Sequence, residues 1–310
     1  MKILITGGSG MVGRNILAHE NVADFEFLNP TSAVLNLLSF SEVDEYIKNN
    51  TPDLIIHAAG KVGGIHANMA DPVGFLVDNL DMGRNVILAA KKNRVAKLLN
   101  LGSSCMYPRD AANPLNEDLI LKGELEPTNE GYALAKVVAA RLCAYISQED
   151  NYFAYKTIIP CNLFGAYDKF SPKNSHMLPA VIRKIHEAKE NQLGTIDIWG
   201  DGLARREFMH AEDLANFIFF AIDNFEKMPQ NLNVGLGYDY TINEYYKAIA
   251  DVIGYTGDFV HDLSKPVGMK QKLIDVTRLS EFGWKHALSM KEGIEKTYDF
   301  YKNNILKDEL

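Results

Sequence analysis

The first thirteen residues, MKILITGGSGMVG, constrain the fold more than any other stretch of the chain. KILIT (2–6) is a short run of β-formers, Gly7, Gly10 and Gly13 follow at once, and the amphipathic RNILAHE comes next, so the order reads strand, tight turn, helix. In such a turn bare backbone lets a pyrophosphate approach the helix N-terminus, which makes Gly7, Ser9, Gly10, Met11, Val12 and Gly13 the expected cradle of a dinucleotide. The spacing is G-x-x-G-x-x-G rather than the usual G-x-G-x-x-G, so the reading rests on placement between strand and helix. In many NAD sites an acid about 20 residues further on holds the ribose 2′-hydroxyl. Here the second strand ends in Leu28-Asn29-Pro30-Thr31-Ser32, with short donors for a 2′-phosphate but no Arg to reinforce them. NADP(H) is preferred, and NAD(H) stays open.

Further strands are expected at FEFL (25–28), DLIIHAA (53–59), AKLLNLGS (96–103) and YKTIIP (155–160), with helices at 41–49, 77–93 and 132–148 between them. Alternation of this kind predicts an α/β fold, a doubly wound parallel sheet covered on both faces. After residue 165 the texture changes to the polar loop GAYDKFSPKNSHMLP and shorter elements. The expected division is a dinucleotide-binding domain of residues 1–165 plus about 207–232, and a smaller α/β substrate lobe of 166–206 and 233–310.

With 310 residues, 47% hydrophobic and 23% charged, the chain is of a size to bury a substantial core. Net charge of −8 and a pI near 5.5, without a basic run, argue against a nucleic-acid partner. The densest apolar stretch, NFIFFAIDNF (216–225), is broken by Asp223 and falls short of the roughly 20 residues that cross a bilayer. Cys105, Cys143 and Cys161 are odd in number and widely separated, as expected of free thiols in a reducing compartment, and the N-terminus reads as mature protein rather than a leader. The expected location is the cytoplasm, and the closing Lys-Asp-Glu-Leu reads as a coincidence rather than a retention address. His57, His66 and His210 show no ligand spacing, so no metal is expected.

Tyr132 and Lys136 stand at i and i+4 in YALAK, where a helix stacks the ammonium near the phenol. A neighbouring cation and a nicotinamide favour the phenolate, making the tyrosine able to exchange a proton with a carbonyl oxygen near neutral pH. Ser103 lies at the end of an upstream strand. Cys105, two residues on, faces the same side if the strand runs on into a loop. Cys143 and Cys161 read as packing residues.

Several segments are similar to the extended short-chain dehydrogenase/reductases, and within them to the GDP-L-fucose synthase family of 3,5-epimerase-4-reductases. They are AAGKVGGIHAN (58–68), LGSSCMYP (101–108), LEPTNEGYALAK (125–136), NSHMLPA (174–180), WGDGLARREFMH (199–210), NVGLG (233–237) and LIDVTRL (273–279). The resemblance implies a Rossmann domain for NADP(H), a smaller lobe for a GDP-sugar, and a homodimer. By position it makes Ser103, Tyr132 and Lys136 a reductase triad and Cys105 and His176 an acid/base pair for epimerisation. It further places Ala58, Leu101, Pro160, Asn162, Leu163 and His176 beside the cofactor. Asn162, Arg183, Lys184, Trp199, Arg206 and Lys272 fall beside the sugar nucleotide, cations for its diphosphate and an aromatic wall for its base.

Two departures bear on the substrate. Many relatives carry Pro-Asp-Gly where this chain has Pro266-Val267-Gly268, and Lys184 stands where Arg is frequent, losing a bidentate grip on phosphate. The implied reaction is 3,5-epimerisation and 4-reduction of a GDP-4-keto-6-deoxyhexose. The alternative is C4 reduction, with or without epimerisation, of a related GDP-4-keto sugar such as a heptose.

Overall fold

Three elements at the N-terminus set the frame: β1 (Lys2–Thr6), α1 (Met11–Leu17) and β2 (Glu26–Leu28). The computed structural model describes residues 1–171, 175–265 and 269–307. Next come α2 (Phe40–Asn50), β3 (Leu54–His57), α3 (Ile65–Ala70), α4 (Pro72–Lys92), β4 (Lys97–Leu101), α5 (Glu130–Glu149) and β5 (Ala154–Pro160). β6 (Asn162–Phe164), α6 (Met177–Glu190), β7 (Thr195–Trp199), β8 (Arg205–Arg206), β9 (Phe208–His210) and α7 (Ala211–Asp223) follow. The chain continues through β10 (Asn231–Val234), β11 (Tyr240–Thr241), α8 (Ile242–Ile253), β12 (Asp258–Asp262), β13 (Gln271–Lys272), α9 (Thr277–Phe282) and α10 (Met290–Phe300).

The main sheet runs β2-β1-β3-β4-β5-β10, and every pair in it is parallel. Its strands are apolar on both faces, as a sheet covered on two sides requires. Period-2 alternation divides their side chains. Ile3, Ile5, Leu54, Ile56 and Leu99 pack toward Leu214, Phe217 and Ile218 of α7, whereas Leu4, Ile55 and Leu98 pack toward Val43, Ile47, Val86 and Ala139 of α2, α4 and α5. Each fully buried Ile or Leu contributes about 1.5–3 kcal/mol, far more than helix propensity supplies. That difference matters for α1. At seven residues it is too short to persist alone, and Ile16, fully buried against β1 and α7, holds it in place.

β1 has β2 on one side and β3 on the other, so the strand order reverses at β1. A ligand crevice is expected beyond the carboxyl ends of β1 and β3. A separate cluster, including Phe164, Leu178, Ile182, Ile185, Tyr245, Ile249 and Tyr298, forms a second core around α6, α8 and α10. Leu279 and Trp284 pack into the first core instead.

Two short strand pairings tie the two cores together. β6 pairs with β9, and β13 pairs with β8 in the register Lys272↔Arg206. Glu207 locks this junction. Its buried carboxylate accepts hydrogen bonds from the backbone N–H groups of Leu236, Gly237 and Ile274. Burial pushes its pKa up to about 7, with those N–H donors pulling the other way.

Candidate active site

The glycine turn is built to admit a ligand backbone. Gly7 has φ +76°, and a Cβ there would stand 2.6 Å from the Ala59 amide nitrogen; one on Gly13 would stand 2.4 Å from the Gly7 carbonyl oxygen. β1 and β3 are thus drawn together at the crevice with nothing projecting into it. Gly10 is the N-cap of α1 and has no side chain to cap it, and the first turn of α1 carries no acid. The free N–H groups and the missing Cβ atoms fit the pyrophosphate of a nicotinamide dinucleotide.

The cleft beside Asn29 holds a cation that the sequence reading did not name. Arg14 lies in the same cleft as Gly8, Ser9 and Asn29, its guanidinium carbon 4.1 Å from the centre of the Tyr167 ring. An arginine thus lines the cleft that Asn29 lines, coming from α1 rather than from the end of β2. Its signal in the sequence is one position beyond the last glycine. Arg14→Ala is expected to raise the KM for NADPH roughly tenfold, the scale of one charge-assisted hydrogen bond, and that for NADH less than threefold. Equal changes for both coenzymes, measured by initial rates, would contradict this placement.

The candidate catalytic wall follows β4. Leu101 ends the strand, Ser103 is extended, and Ser104–Met106 form a 3-10 turn whose N-cap is Ser103, its Oγ accepting from the Cys105 N–H at 3.2 Å. Strand alternation therefore does not bring Cys105 beside Ser103. A turn does, because the Ser103 hydroxyl captures the Cys105 amide and stops the extended run.

Tyr132 lies in the first turn of α5, and the Ser103 hydroxyl is near enough to its phenol to favour the phenolate. Lys136, one turn on, is buried and donates to the Leu101 carbonyl at 2.8 Å, its Nζ 5.8 Å from the Tyr132 ring centre. Gly60 lies between this lysine and α4: a Cβ there would stand 3.1 Å from Asn79 Oδ1 and 3.7 Å from Lys136 Nζ.

Without a nicotinamide, the surroundings of Tyr132 favour its neutral form. Burial pushes the Tyr132 pKa up, the negative charge of Cys105 pushes it further, and only the Ser103 hydrogen bond opposes them. Burial also lowers Lys136 to about 8. Desolvation dominates, so the protein alone presents Tyr132 as a neutral phenol, a proton donor.

Cys105 is half-buried and its sulfur has two donors: Asn129 Nδ2 at 3.2 Å and Lys272 Nζ at 3.5 Å. Asn129 occupies the N-cap position of α5 without capping it, since its amide reaches the sulfur instead. Sequence reading missed Asn129, whose signal was an N-cap residue type next to the YALAK helix. It also missed Asn79, buried on α4, which accepts from the Lys61 N–H and donates to the Lys61 and Phe75 carbonyls and so fixes the turn after Gly60. Cys143 and Cys161 are buried, as expected of packing residues.

The remaining expected residues surround this wall. The Ala58 N–H donates to the Thr6 carbonyl at the crevice, Pro160 closes β5, and Asn162 Nδ2 donates to the Glu207 carbonyl, while Leu163 packs against the first core. His176 is the N-cap residue of α6, exposed as a residue although protein surrounds its imidazole closely enough to desolvate it. Crowding by surrounding protein and then Lys169 lower its pKa, which favours the neutral imidazole. The Ser175 carbonyl lies 3.8 Å from where a Cβ on Gly64 would stand, so this segment reaches across to the 60–64 loop. Asn174 lies outside the described residues, as do Pro266-Val267-Gly268 and residues 308–310.

Of the cations, Lys184 is committed to Asp197, donating to its carbonyl at 2.6 Å and its carboxylate at 2.7 Å. Arg183 pairs with Glu187, and Arg206, partly buried on β8, donates to the Arg205 carbonyl. Trp199 is half exposed at the end of β7, its ring edge-on to His66 with centres 6.4 Å apart and Lys265 Nζ 5.5 Å from its centre.

Comparison with known proteins agrees with this geometry. Residues 3–235 match the NAD dependent epimerase/dehydratase family. The chain is 61% identical to a GDP-L-colitose synthase of Yersinia pseudotuberculosis, over 99% of this chain and 100% of that one. It is 50% identical to a GDP-L-fucose synthase of Azorhizobium caulinodans, over 97% and 96%. Among solved structures, a GDP-mannoheptose C4 reductase from Campylobacter jejuni with NADP bound superposes with a TM-score of 0.88 at 31% identity, covering 97% of this chain and 98% of the other. The chain belongs to the NAD dependent epimerase/dehydratase family, the extended short-chain dehydrogenase/reductases, and is an oxidoreductase of nucleotide sugars.

Proposed function

We propose that this enzyme uses NADPH to epimerise a GDP-4-keto-6-deoxyhexose at C3 and C5 and to reduce it at C4. The observation that carries the reading is the placement of a half-buried thiol, Cys105, beside the Ser103–Tyr132–Lys136 group, since a plain ketone reductase needs no base there. A ketone at C4 acidifies the hydrogens on C3 and C5, so modest bases invert both centres through an enolate. In our reading Cys105 removes the proton from each centre in turn, releasing it to solvent between the two steps, and His176, protonated from solvent each time, returns a proton to the opposite face of each centre. Ser103 and Tyr132 hold the C4 oxygen while charge builds on it. A bound nicotinamide would supply hydride to C4, and Tyr132 would give its proton to the resulting alkoxide. Lys136 holds the Leu101 carbonyl and keeps positive charge behind the phenol.

Arg206 and Trp199 suit a nucleoside diphosphate in the lobe, with the expected domain division as its frame. A homodimer is part of the proposal. Val73 and Val77 on α4, with Leu134, Val138 and Tyr145 on α5, expose an apolar stripe at helical spacing on two helices that pack together. The cytoplasm is the proposed location, in keeping with free thiols. Among the described residues no helix is long and apolar enough to cross a membrane.

Incubation with GDP-4-keto-6-deoxymannose and NADPH should consume NADPH and yield GDP-L-fucose by NMR. If NADPH is not consumed, the substrate assignment fails. The higher identity to a GDP-L-colitose synthase favours a second reading, a substrate lacking the C3 hydroxyl, in which only C5 is inverted. A larger kcat/KM for the 3-deoxy ketone selects it.

A further inference from the structure

Lys272 is placed unlike any other cation of the site. It comes from the lobe, on the two-residue strand β13, yet its ammonium meets the sulfur of Cys105 at 3.5 Å. Among the described residues no carboxylate lies within ion-pair distance of it, whereas Lys184 and Arg183 are each committed to one. Its backbone is fixed on both sides. The Leu273 N–H donates to Asn113 Oδ1 at 2.8 Å, the Leu115 N–H to the Leu273 carbonyl at 2.8 Å, and the Ile274 N–H to the buried Glu207 carboxylate at 3.0 Å. Pairing with β8 adds the register. A long side chain launched from so well-held a strand keeps its reach, so the contact is a product of the fold and not of a loose surface lysine.

We propose that Lys272 is a positioning residue for the base of the epimerisation: its ammonium holds the Cys105 sulfur as a thiolate aimed at the sugar ring, rather than gripping the substrate's diphosphate. The other donor to that sulfur is the neutral amide of Asn129, while the Ser103 hydroxyl is bonded to the Cys105 backbone N–H and the Tyr132 phenol lies near enough to feel the sulfur's charge. Lys272 is therefore the one cation in contact with it among the described residues. An ammonium beside a thiolate favours the charged sulfur. When Cys105 takes a proton from carbon the charge on sulfur disappears, Lys272 keeps its own proton, and its attraction is free to act on the enolate formed beside it.

The inference rests on Cys105 being the base, and its test reads the sulfur without substrate, so the two fail separately. Iodoacetamide is added to the intact enzyme with NADP bound, and carboxamidomethylation of Cys105 is followed by mass spectrometry. Cys143 and Cys161 are buried and Cys105→Ser is the blank. At pH 7, Lys272→Met should slow alkylation roughly tenfold, the rates of the two proteins should converge near pH 10, where a thiol ionises unaided, and Lys272→Arg should restore most of the loss. In turnover the methionine variant should lose kcat for solvent-deuterium exchange with KM changed less than threefold. Unaltered alkylation from pH 7 to 10 in Lys272→Met together with a KM raised tenfold or more would overturn the proposal in favour of a diphosphate ligand. Equal NADP binding by the methionine and parent proteins shows that the variant is folded.

Discussion

Tyr132→Phe is expected to cut C4 reduction by roughly a hundred- to ten-thousand-fold, the range a positioned general acid supplies. NADPH binding should stay within threefold, because the ring and its packing remain. The argument is electrostatic. Burial and then Cys105 hold the phenol's pKa up, so its proton is present when the alkoxide forms, and phenylalanine has none to give. The pH profile follows from Lys136, which burial lowers to about 8. Below that value the ammonium is intact, and as pH rises through it the positive charge behind the phenol is lost. Single-turnover reduction followed at 340 nm should therefore fall on the alkaline side from about pH 8 and stay level from pH 6 to 7. A tyrosine variant that turns over at the parent rate would remove Tyr132 from the chemistry.

Cys105→Ser is expected to slow exchange of the C5 hydrogen with solvent by roughly a hundredfold or more, since a hydroxyl is a far weaker base than a thiolate. Reduction of an already epimerised ketone should be nearly normal, because the hydroxyl still fits between Asn129 and Lys272 and the Ser103–Tyr132 contact is untouched. Both half-reactions are measured on one preparation, the first by deuterium uptake in NMR and the second by NADPH consumption. Equal loss of both would mean that the serine disturbs the whole wall.

Much of this architecture could be read from the chain before any coordinates. β1, β3, β4 and β5 coincide within a few residues with apolar runs bounded by turn residues, because strands buried on both faces leave an unmistakable pattern. The glycine turn was legible for a similar reason: it is one local motif, and Gly7 and Gly13 must lack a Cβ for backbone reasons alone. What escaped depended on contacts between distant segments. Arg14 meets Tyr167 across 153 positions of sequence and Lys272 meets Cys105 across 167, and no local pattern announces either. Cys105 was placed on the right wall for the wrong reason, a strand pleat where the chain makes a 3-10 turn. The phenolate expectation counted a cation and a nicotinamide but not depth, and burial is what pushes the Tyr132 pKa up in the protein alone.

Family likeness identified the ketone chemistry but not which oxygens the sugar carries, since relatives at 61% and 50% identity bear the names of different products. The C3 position therefore matters most for substrate choice, and the C5 position for mechanism. Both are reported by hydrogen exchange, which counts protons removed and returned without reference to the name of the sugar.

The most direct test is to run the reaction in deuterium oxide with NADPH and a GDP-4-keto-6-deoxy sugar and to integrate the ring protons of the product. The account predicts a C4 alcohol of inverted C5 configuration whose C5 proton signal is lost to deuterium, with C3 labelled as well. A C4 alcohol formed at full rate with both C3 and C5 protons intact would contradict it, leaving the thiol at 105 without a reaction.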